Sequence, residues 1–222
     1  MERFRTQKTP IKILDLSPGK SSTLETILSS GVLETKPFTY VAVSDHPETL
    51  RKTKEVWTES NTFRHISSQL VNVDQNPFQF LIASQGNKSQ KFDIVISLFG
   101  FSCLQPQNYI KALICCQNLL YNQGHLFTTQ PSYRGDCYPE EYIEALINTT
   151  KIPFWNTDKQ FTSDCMTMGR LMAGLGFQTL HTELSAQHYP KQKKWFYYLA
   201  THVQKKHEVK DFHKKLADYG IL

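Results

Sequence analysis

The sequence predicts an α/β fold in which a mostly parallel β-sheet carries helices on both faces. Short apolar runs rich in strand-forming residues alternate along the chain with segments of helical periodicity. This alternation is typical of a parallel sheet with crossover helices. The last two predicted strands follow each other without a helix between them, so we expect them to pair antiparallel. The chain has 222 residues, 40% of them hydrophobic, and this is enough for one sizeable core in a single domain.

The first predicted strand leads into a tight turn and a helix. Ile11–Leu16 is apolar and rich in strand formers, and Ser17–Gly19 is a turn signal. Ser22–Glu25 has the pattern of a capping box, which starts a helix, and Gly31 ends that helix. We therefore expect strand, turn and helix in this order.

The same alternation continues through most of the chain. Pro47 suits the first position of a helix, and the polar stretch 74–90 contains a single short helix. The predicted strands are Tyr40–Val43, Phe63–Ile66, Phe92–Ser97, His125–Thr129, Phe177–Leu184 and Trp195–Val203, and the predicted helices are Pro47 to about Glu59, Phe78–Ile82, Ile110–Gln117 and Met168–Leu175.

Residues 131–161 interrupt the alternation. They contain three prolines and several aromatic residues with little periodicity, and we interpret them as an insertion with a helix near Glu140–Asn148. Long insertions of this kind are often functional, and we expect this one to cover the substrate. The predicted domain spans residues 1–203, and residues 204–222 form a basic C-terminal tail.

The positive charge is confined to the end of the chain. The formal net charge is +5; residues 191–222 hold eight Lys and three acidic residues, while the first 190 residues hold 17 basic and 17 acidic residues. A nucleic-acid enzyme usually carries basic residues across its main body. We therefore expect a small-molecule substrate and no nucleic acid as partner. The basic tail alone favours the alternative of an enzyme that acts on RNA.

The five cysteines and the chain start indicate an intracellular protein. The number of cysteines is odd, and they show neither a C-x-x-C pair nor a spacing suited to metal ligands. We expect reduced thiols and no metal site. The first residues lack the apolar core of a secretory signal, and no run approaches the length needed to span a bilayer. The expected location is the cytoplasm, without membrane association.

Two acidic residues follow successive predicted strands and indicate a pocket for a cofactor that carries adenosine. Ligands of parallel α/β sheets bind at the carboxyl ends of the strands. Asp15 precedes a tight turn whose backbone can approach a ligand closely, and Asp45 can accept hydrogen bonds from both ribose hydroxyls. Each residue has a structural alternative, since Asp15 could organise the turn and Asp45 could cap the helix that begins at Pro47.

These segments resemble the motifs of class I S-adenosylmethionine-dependent methyltransferases. Ile13–Ser21 is similar to their Asp/Glu-x-Gly-x-Gly-x-Gly loop, and Val41–Asp45 is similar to their second, acidic strand end. Phe92–Ser97 and Asn118–Phe127 are similar to their fourth and fifth strands. The resemblance implies a Rossmann-like three-layer sandwich, a seven-stranded sheet with an antiparallel last strand, and S-adenosyl-L-methionine as cofactor.

A finer likeness connects the chain to one family within this superfamily. Phe161–Asp164 followed by Leu171–Phe177 is similar to a segment of histamine N-methyltransferase. The likeness implies a small-molecule acceptor with a nitrogen nucleophile.

The resemblance assigns residues to a cofactor site and to a substrate site, while no catalytic residue is assigned. The adenine is expected near Ser67–Ser68 or Ser97. The predicted cofactor-binding residues are Asp15, Ser17, Gly19, Ser21, Asp45, His46, Ser67, Ser68, Ser97 and Leu98. The predicted substrate-binding residues are Phe99, Phe101, Tyr133, Phe154 and Trp155.

The loop departs from the family pattern and leaves other functions open. Ser17 and Ser21 stand where the family has glycine, so the chain could be a non-catalytic, methyltransferase-like binding module. Lys20 is unusual beside a sulfonium ligand, and Pro18–Ser22 resembles part of a phosphate-binding P-loop. The first P-loop glycine is missing at Leu14, however, which makes a nucleotide-binding protein the weakest alternative.

Overall fold

A computed structural model describes most of the chain, including every strand that is needed to define its sheet. The predicted strand Phe63–Ile66 and the predicted helix Glu140–Asn148 lie outside the described residues. The described residues are 10–19, 22–31, 33, 36–60, 67–85, 90–98, 100–101, 104, 106–131, 165–189, 194–212 and 214.

Seven strands and five helices form within these ranges. No helix among the described residues is long and apolar enough to cross a membrane. In chain order the elements are β1 (Ile11–Asp15), α1 (Ser22–Ser29), β2 (Phe38–Ser44), α2 (Pro47–Glu59), β3 (Gln69–Asp74), α3 (Pro77–Ser84), β4 (Phe92–Leu98), α4 (Pro106–Leu119), β5 (Leu120–Pro131), α5 (Cys165–Gly174), β6 (Phe177–Tyr189) and β7 (Lys194–Lys205).

The strands form one sheet in the order β3-β2-β1-β4-β5-β7-β6. The first five strands in chain order, β1 to β5, pair parallel with one another. β7 lies between β5 and β6 and is antiparallel to both. The predicted α/β class, the seven strands and the antiparallel last strand are confirmed.

The helices pack in two layers because each strand sends alternate side chains to opposite faces. Ile13 of β1 packs with Leu24 of α1 and Leu50 of α2, on what we call the α1 face. Leu14, the next residue of β1, packs in the other cluster with Leu113 of α4 and residues of α3 and α5. The sheet therefore lies between two apolar cores.

The turn after β1 and the end of α1 each depend on a glycine. Gly19 has φ of 51° and Gly31 has φ of 67°, and residues with a side chain rarely adopt this left-handed region. The predicted succession of strand, turn and helix is confirmed, with α1 at Ser22–Ser29 and Gly31 just beyond it.

The third strand lies further along the chain than predicted. β3 is Gln69–Asp74 and pairs with β2 from Thr39 to Ser44. It is an edge strand with mostly exposed side chains, so it lacks the apolar run that marks a buried strand. Its end is set by Asn76, whose side chain accepts hydrogen bonds from two backbone N–H groups of α3.

The domain continues past the predicted boundary at residue 203. β7 runs through Lys205, whose side chain is fully buried. The Lys205 Nζ donates hydrogen bonds of 2.8 and 3.1 Å to the backbone oxygens of Gln117, near the end of α4, and of Leu120, the first residue of β5. Phe212 packs against the core on that side of the sheet. Residues up to Phe212 therefore belong to the domain.

Candidate functional site

The strand order defines a crevice at the carboxyl edge of the sheet. From β1 the chain moves to β2 and β3 on one side, and then returns to β4 on the other side. Open α/β sheets bind ligands at this switch point, outside the carboxyl ends of the two diverging strands. The loops that follow β1 and β4 are therefore the structural candidates for a binding site, together with the ends of β2 and β3.

Asp15 ends β1 with its carboxylate directed into the protein. Its side chain is fully buried. One carboxylate oxygen accepts a 2.9 Å hydrogen bond from the Ser17 backbone N–H, and the other accepts a hydrogen bond from the Tyr40 hydroxyl on β2. These hydrogen bonds organise the turn, which is the structural role that the sequence offers for Asp15 as an alternative to cofactor binding. Asp15 can position the loop, but its carboxylate is not presented at the surface of the crevice.

The burial of Asp15 also changes its acidity. Removal from water raises the pKa of its carboxyl from 3.8 to about 6, although the hydrogen bonds from Tyr40 and Ser17 oppose this increase. The same burial, together with the nearby Asp15 charge, raises the pKa of Tyr40. At neutral pH the crevice therefore lies above a buried negative charge.

The loops after β1 and β4 meet in close contact at the crevice. A Cβ atom added to Gly100 would lie 2.9 Å from Ser97 Oγ, 3.0 Å from Ser17 Cβ and 3.2 Å from the Leu16 backbone oxygen. The Ser17 and Ser97 hydroxyls are both buried without a hydrogen-bond partner. Buried polar atoms nearly always have a partner, so these two hydroxyls mark a place where a ligand or a water molecule would complete the structure.

The turn itself leaves room for a ligand at Gly19. An added Cβ there would meet nothing closer than the Ser17 backbone oxygen at 3.7 Å, and Gly19 is exposed. The backbone of this turn can therefore come close to a bound molecule. Ser21, another predicted cofactor residue, lies outside the described residues.

Asp45 stands one residue beyond β2 with its carboxylate at the surface. One of its oxygens accepts a 2.9 Å hydrogen bond from the Asn76 side-chain amide, and this bond is the main cause that lowers the pKa of Asp45. His46 Nε2 is 3.8 Å from the other oxygen. The Asp45 side chain is 44% exposed. It therefore offers a charged acceptor at the position where the sequence predicts ribose binding.

Asn76 is a residue that the sequence interpretation missed. It joins the ends of β2 and β3, because its amide holds Asp45 while its oxygen caps α3. The signal was present in the sequence: an asparagine directly before Pro77 has the pattern of a helix cap followed by the first helical residue.

Ser67 and Ser68 lie at the opposite edge of the sheet from Gly19. They directly precede β3, and Ser68 Oγ accepts a hydrogen bond from the backbone N–H of Phe38 at the start of β2. The prediction that they contact the adenine is therefore wrong, since it depended on a third strand at 63–66. The carboxyl end of β3 is formed by Asp74, and Gln75 and Asn76 follow it.

Only one of the five aromatic residues predicted to bind substrate lies within the part of the chain that the structure describes. Phe99, Tyr133, Phe154 and Trp155 lie outside the described residues. Phe101 is 2% exposed, and its ring packs edge-on against Tyr109 of α4 with 6.1 Å between the ring centres. The loop returns it to the core, so the structure does not present its ring at the crevice, and its role as a substrate wall stays a prediction. Leu98, the last residue of β4, is half-buried on the α1 face.

The site thus combines an open glycine turn, two unpartnered hydroxyls and a surface carboxylate along one sheet edge. This arrangement suits an elongated ligand with a hydroxyl-bearing part near Asp45. Within the described ranges, no three histidine, cysteine or acidic side chains come together as metal ligands.

No protein-family model matches the chain, and no curated protein matches its sequence. The chain does, however, resemble solved structures. An S-adenosylmethionine-dependent methyltransferase from Methanosarcina mazei superposes with a TM-score of 0.59 over 93% of this chain and 98% of that chain, at 11% identity. The chain has the fold of the class I methyltransferases.

Other methyltransferases of different chemistry share this fold with the chain. The N-methyltransferase NodS from Bradyrhizobium japonicum, in complex with S-adenosyl-L-homocysteine, has a TM-score of 0.54 over 89% of this chain and 79% of that chain, at 9% identity. The CurJ carbon methyltransferase has a TM-score of 0.55 over 89% of this chain and 49% of that chain, at 13% identity. Likeness to class I methyltransferases therefore leaves the acceptor atom open, and these matches give no support to the finer likeness to histamine N-methyltransferase.

Proposed function

We propose that the protein is an S-adenosylmethionine-dependent methyltransferase that acts on a small molecule through a nitrogen nucleophile. The observation that carries this proposal is the placement of the Gly19 turn at the end of β1 and of Asp45 at the end of the neighbouring strand β2, on one edge of the sheet. The two elements match the needs of a ligand with a ribose at one end and a polar amino-acid part at the other. The class I methyltransferase fold supports the same function.

The residues present fit this cofactor. The Gly19 turn has room for close approach of the amino-acid part, and the exposed Asp45 carboxylate can accept hydrogen bonds from both ribose hydroxyls. Asn76 positions that carboxylate through its side-chain amide. The unpartnered hydroxyls of Ser17, directly after β1, and of Ser97, near the end of β4, could complete the contacts.

The bound cofactor would supply an already activated methyl group. The protein then has to align the acceptor nitrogen with that methyl and exclude water, because orientation accounts for much of the rate of such a transfer. A general base is required only if the nitrogen arrives protonated. No residue is assigned that role.

A second candidate is a methyltransferase-like module that binds a partner and has lost the cofactor. The close packing of Gly100 over Ser17 and Ser97 favours it, since the loop after β4 occupies part of the crevice. The exposed carboxylate of Asp45 and its support by Asn76 favour the enzyme, because a module without cofactor has no use for them.

Calorimetric titration with S-adenosyl-L-homocysteine separates the two candidates. The enzyme should bind it, and Asp45→Ala should weaken binding by about 1.5–3 kcal/mol through loss of a charged acceptor. The control Glu59→Ala removes an exposed carboxylate at the far end of α2 and should leave the affinity unchanged. Absence of binding by the unmodified protein would favour the module, and equal affinity in the Asp45 variant would remove Asp45 from the site.

A further inference from the structure

A cavity of about 470 Å³ lies between α1 and the sheet, next to the proposed cofactor site. Its floor is formed by apolar side chains of three neighbouring strands, and its wall by one side of α1. None of the described residues that line it carries a charge. The floor residues are Ile13, Ile94, Ile96, Leu98 and Phe127, and Ile27 is the main apolar residue of the wall.

The floor is held in place by the strand register. Ile96 pairs with Asp15 of β1 on one side and with Phe127 of β5 on the other, and Phe127 pairs with His202 of β7. The rings of Phe127 and His202 stack with 4.1 Å between their centres and 11° between their planes. His202 Nε2 lies 2.9 Å from His125 Nδ1. The Phe127 ring is therefore held from the side by a linked pair of imidazoles on the same face of the sheet.

One end of the cavity reaches the carboxyl edge of the sheet. Leu98 is the last residue of β4, and Thr23 is the second residue of α1, just beyond the Gly19 turn. The other end, at Ile94 and Leu33, lies deeper along the α1 face. A molecule in this cavity would therefore have one end buried among apolar side chains and the other at the edge where the proposed methyl donor lies.

The lining restricts the chemistry of the occupant. Ligand cavities commonly have volumes of roughly 300–1,000 Å³, so this one can take a small organic molecule. Burial of a charge without a partner is costly, so the buried part must be neutral and apolar. The polar side chains in the lining are hydroxyls on α1, such as Ser30, whose Oγ already donates to a backbone oxygen. An extended peptide would leave its backbone groups unpaired here.

We propose that this cavity binds the apolar body of the methyl acceptor, an amine with a neutral apolar group, and leaves its nitrogen at the carboxyl edge near Leu98 and Thr23. This inference rests on the proposed methyltransferase function and assigns the substrate class of that site. The floor of Ile94, Ile96 and Phe127 selects the apolar group, and the cofactor loop receives the nitrogen.

The test measures acceptor binding and cofactor binding separately on the full chain. The neutral dye N-phenyl-1-naphthylamine reports the apolar cavity through its fluorescence, and 1-naphthylmethylamine is the competing acceptor. Ile94→Phe places a larger side chain in the cavity from its floor, and Ile27→Phe does so from its wall. Both substitutions reduce the volume that is left for a ligand. The matched control is Ile82→Phe, at an exposed position on α3 on the other face of the sheet. S-adenosyl-L-homocysteine affinity and transfer of labelled methyl to the amine are measured for each protein.

The inference expects the amine to displace the dye and to be methylated. Ile94→Phe and Ile27→Phe should weaken dye and amine binding by about tenfold or more, with unchanged S-adenosyl-L-homocysteine affinity, while Ile82→Phe behaves like the unmodified protein. If the amine is methylated equally well by all variants, the cavity assignment is overturned and the proposed function stands. If S-adenosyl-L-homocysteine does not bind, both fall.

Two further outcomes concern other occupants. Failure of the unmodified chain to bind the dye as a monomer would mean that another part of the chain fills the cavity. A dimer in light scattering that dissociates in Ile94→Phe would mean that a second copy fills it. Either result overturns the inference.

Discussion

The buried carboxylate of Asp15 makes a testable prediction about how stability depends on pH. Asp15→Asn keeps the shape of the side chain and can keep both hydrogen bonds, since its oxygen can still accept from the Ser17 N–H and its amide can donate to the Tyr40 hydroxyl, which then acts as an acceptor. The substitution removes only the capacity to carry a charge. At neutral pH, where the unmodified protein holds that charge in its interior, the variant should be at least as stable.

The magnitude follows from the pKa. The folded protein raises the pKa of Asp15 from 3.8 to about 6, so between these values the folded state holds the proton more tightly than the unfolded state. The stability linked to this group is fully present below pH 3.8 and is lost as the pH rises through 6. A pKa difference of about 2 corresponds to about 3 kcal/mol. Because the unfolded carboxyl is already partly ionised at pH 4, the free energy of unfolding of Asp15→Asn, relative to the unmodified protein, should rise by about 2.4 kcal/mol from pH 4 to pH 7.5.

Urea denaturation followed by far-ultraviolet circular dichroism, repeated at half-unit steps of pH, measures this difference. Subtraction of the two proteins cancels the contributions of groups that are unchanged. Glu59→Gln provides the control, because it neutralises an exposed carboxylate at the end of α2, and its difference should stay within about 0.5 kcal/mol. A difference between Asp15→Asn and the unmodified protein that does not change with pH would refute the reasoning.

Three further substitutions test other contacts. Lys205→Met leaves two buried backbone oxygens without their donor and should lower the free energy of unfolding by about 2 kcal/mol, whereas the neighbouring exposed Lys206→Met should not change it in the same urea experiment. Gly100→Ala would force apart the two loops at the crevice, so both the melting temperature and the S-adenosyl-L-homocysteine affinity of this variant should fall. The control is Gly169→Ala on α5, where an added Cβ meets open space, and it should stabilise the protein by about 0.5–1 kcal/mol. Asn76→Ala removes a helix cap and should cost about 1 kcal/mol in stability, with a weaker cofactor affinity in calorimetry because Asp45 loses its support.

The elements that the sequence predicts well are those that carry their own boundary signals. α1 begins at Ser22, where the sequence pattern of a capping box starts, and stops before Gly31, and α2 begins at Pro47. β3 carries no such signal within it. It is an exposed edge strand with Leu70 and Val73 only partly buried, so its pairing with β2, more than its own composition, makes it a strand. Tertiary pairing overrides local pattern at such edges.

The same distinction applies to the site. Asp45 could be placed from the sequence, because any residue directly after a buried parallel strand lies at the carboxyl edge. The inward orientation of the Asp15 side chain could not be predicted from the sequence, because it depends on Tyr40 of the adjacent strand, 25 residues away. The burial of Phe101 also depends on a distant contact, namely the packing of its loop on α4. Side-chain direction at a strand end is set by neighbours that the local sequence does not contain.

The departure of the loop from the methyltransferase pattern is consistent with the geometry of the turn. Gly19 has the left-handed backbone that requires glycine, and it is the glycine that the sequence retains. Ser17 does not have a positive φ, so a side chain there causes no backbone strain. Its Cβ is accommodated because the facing loop has a glycine, Gly100, at the point of closest approach. The serine therefore adds a hydroxyl to the crevice without closing the turn, and its presence alone is not an argument against cofactor binding.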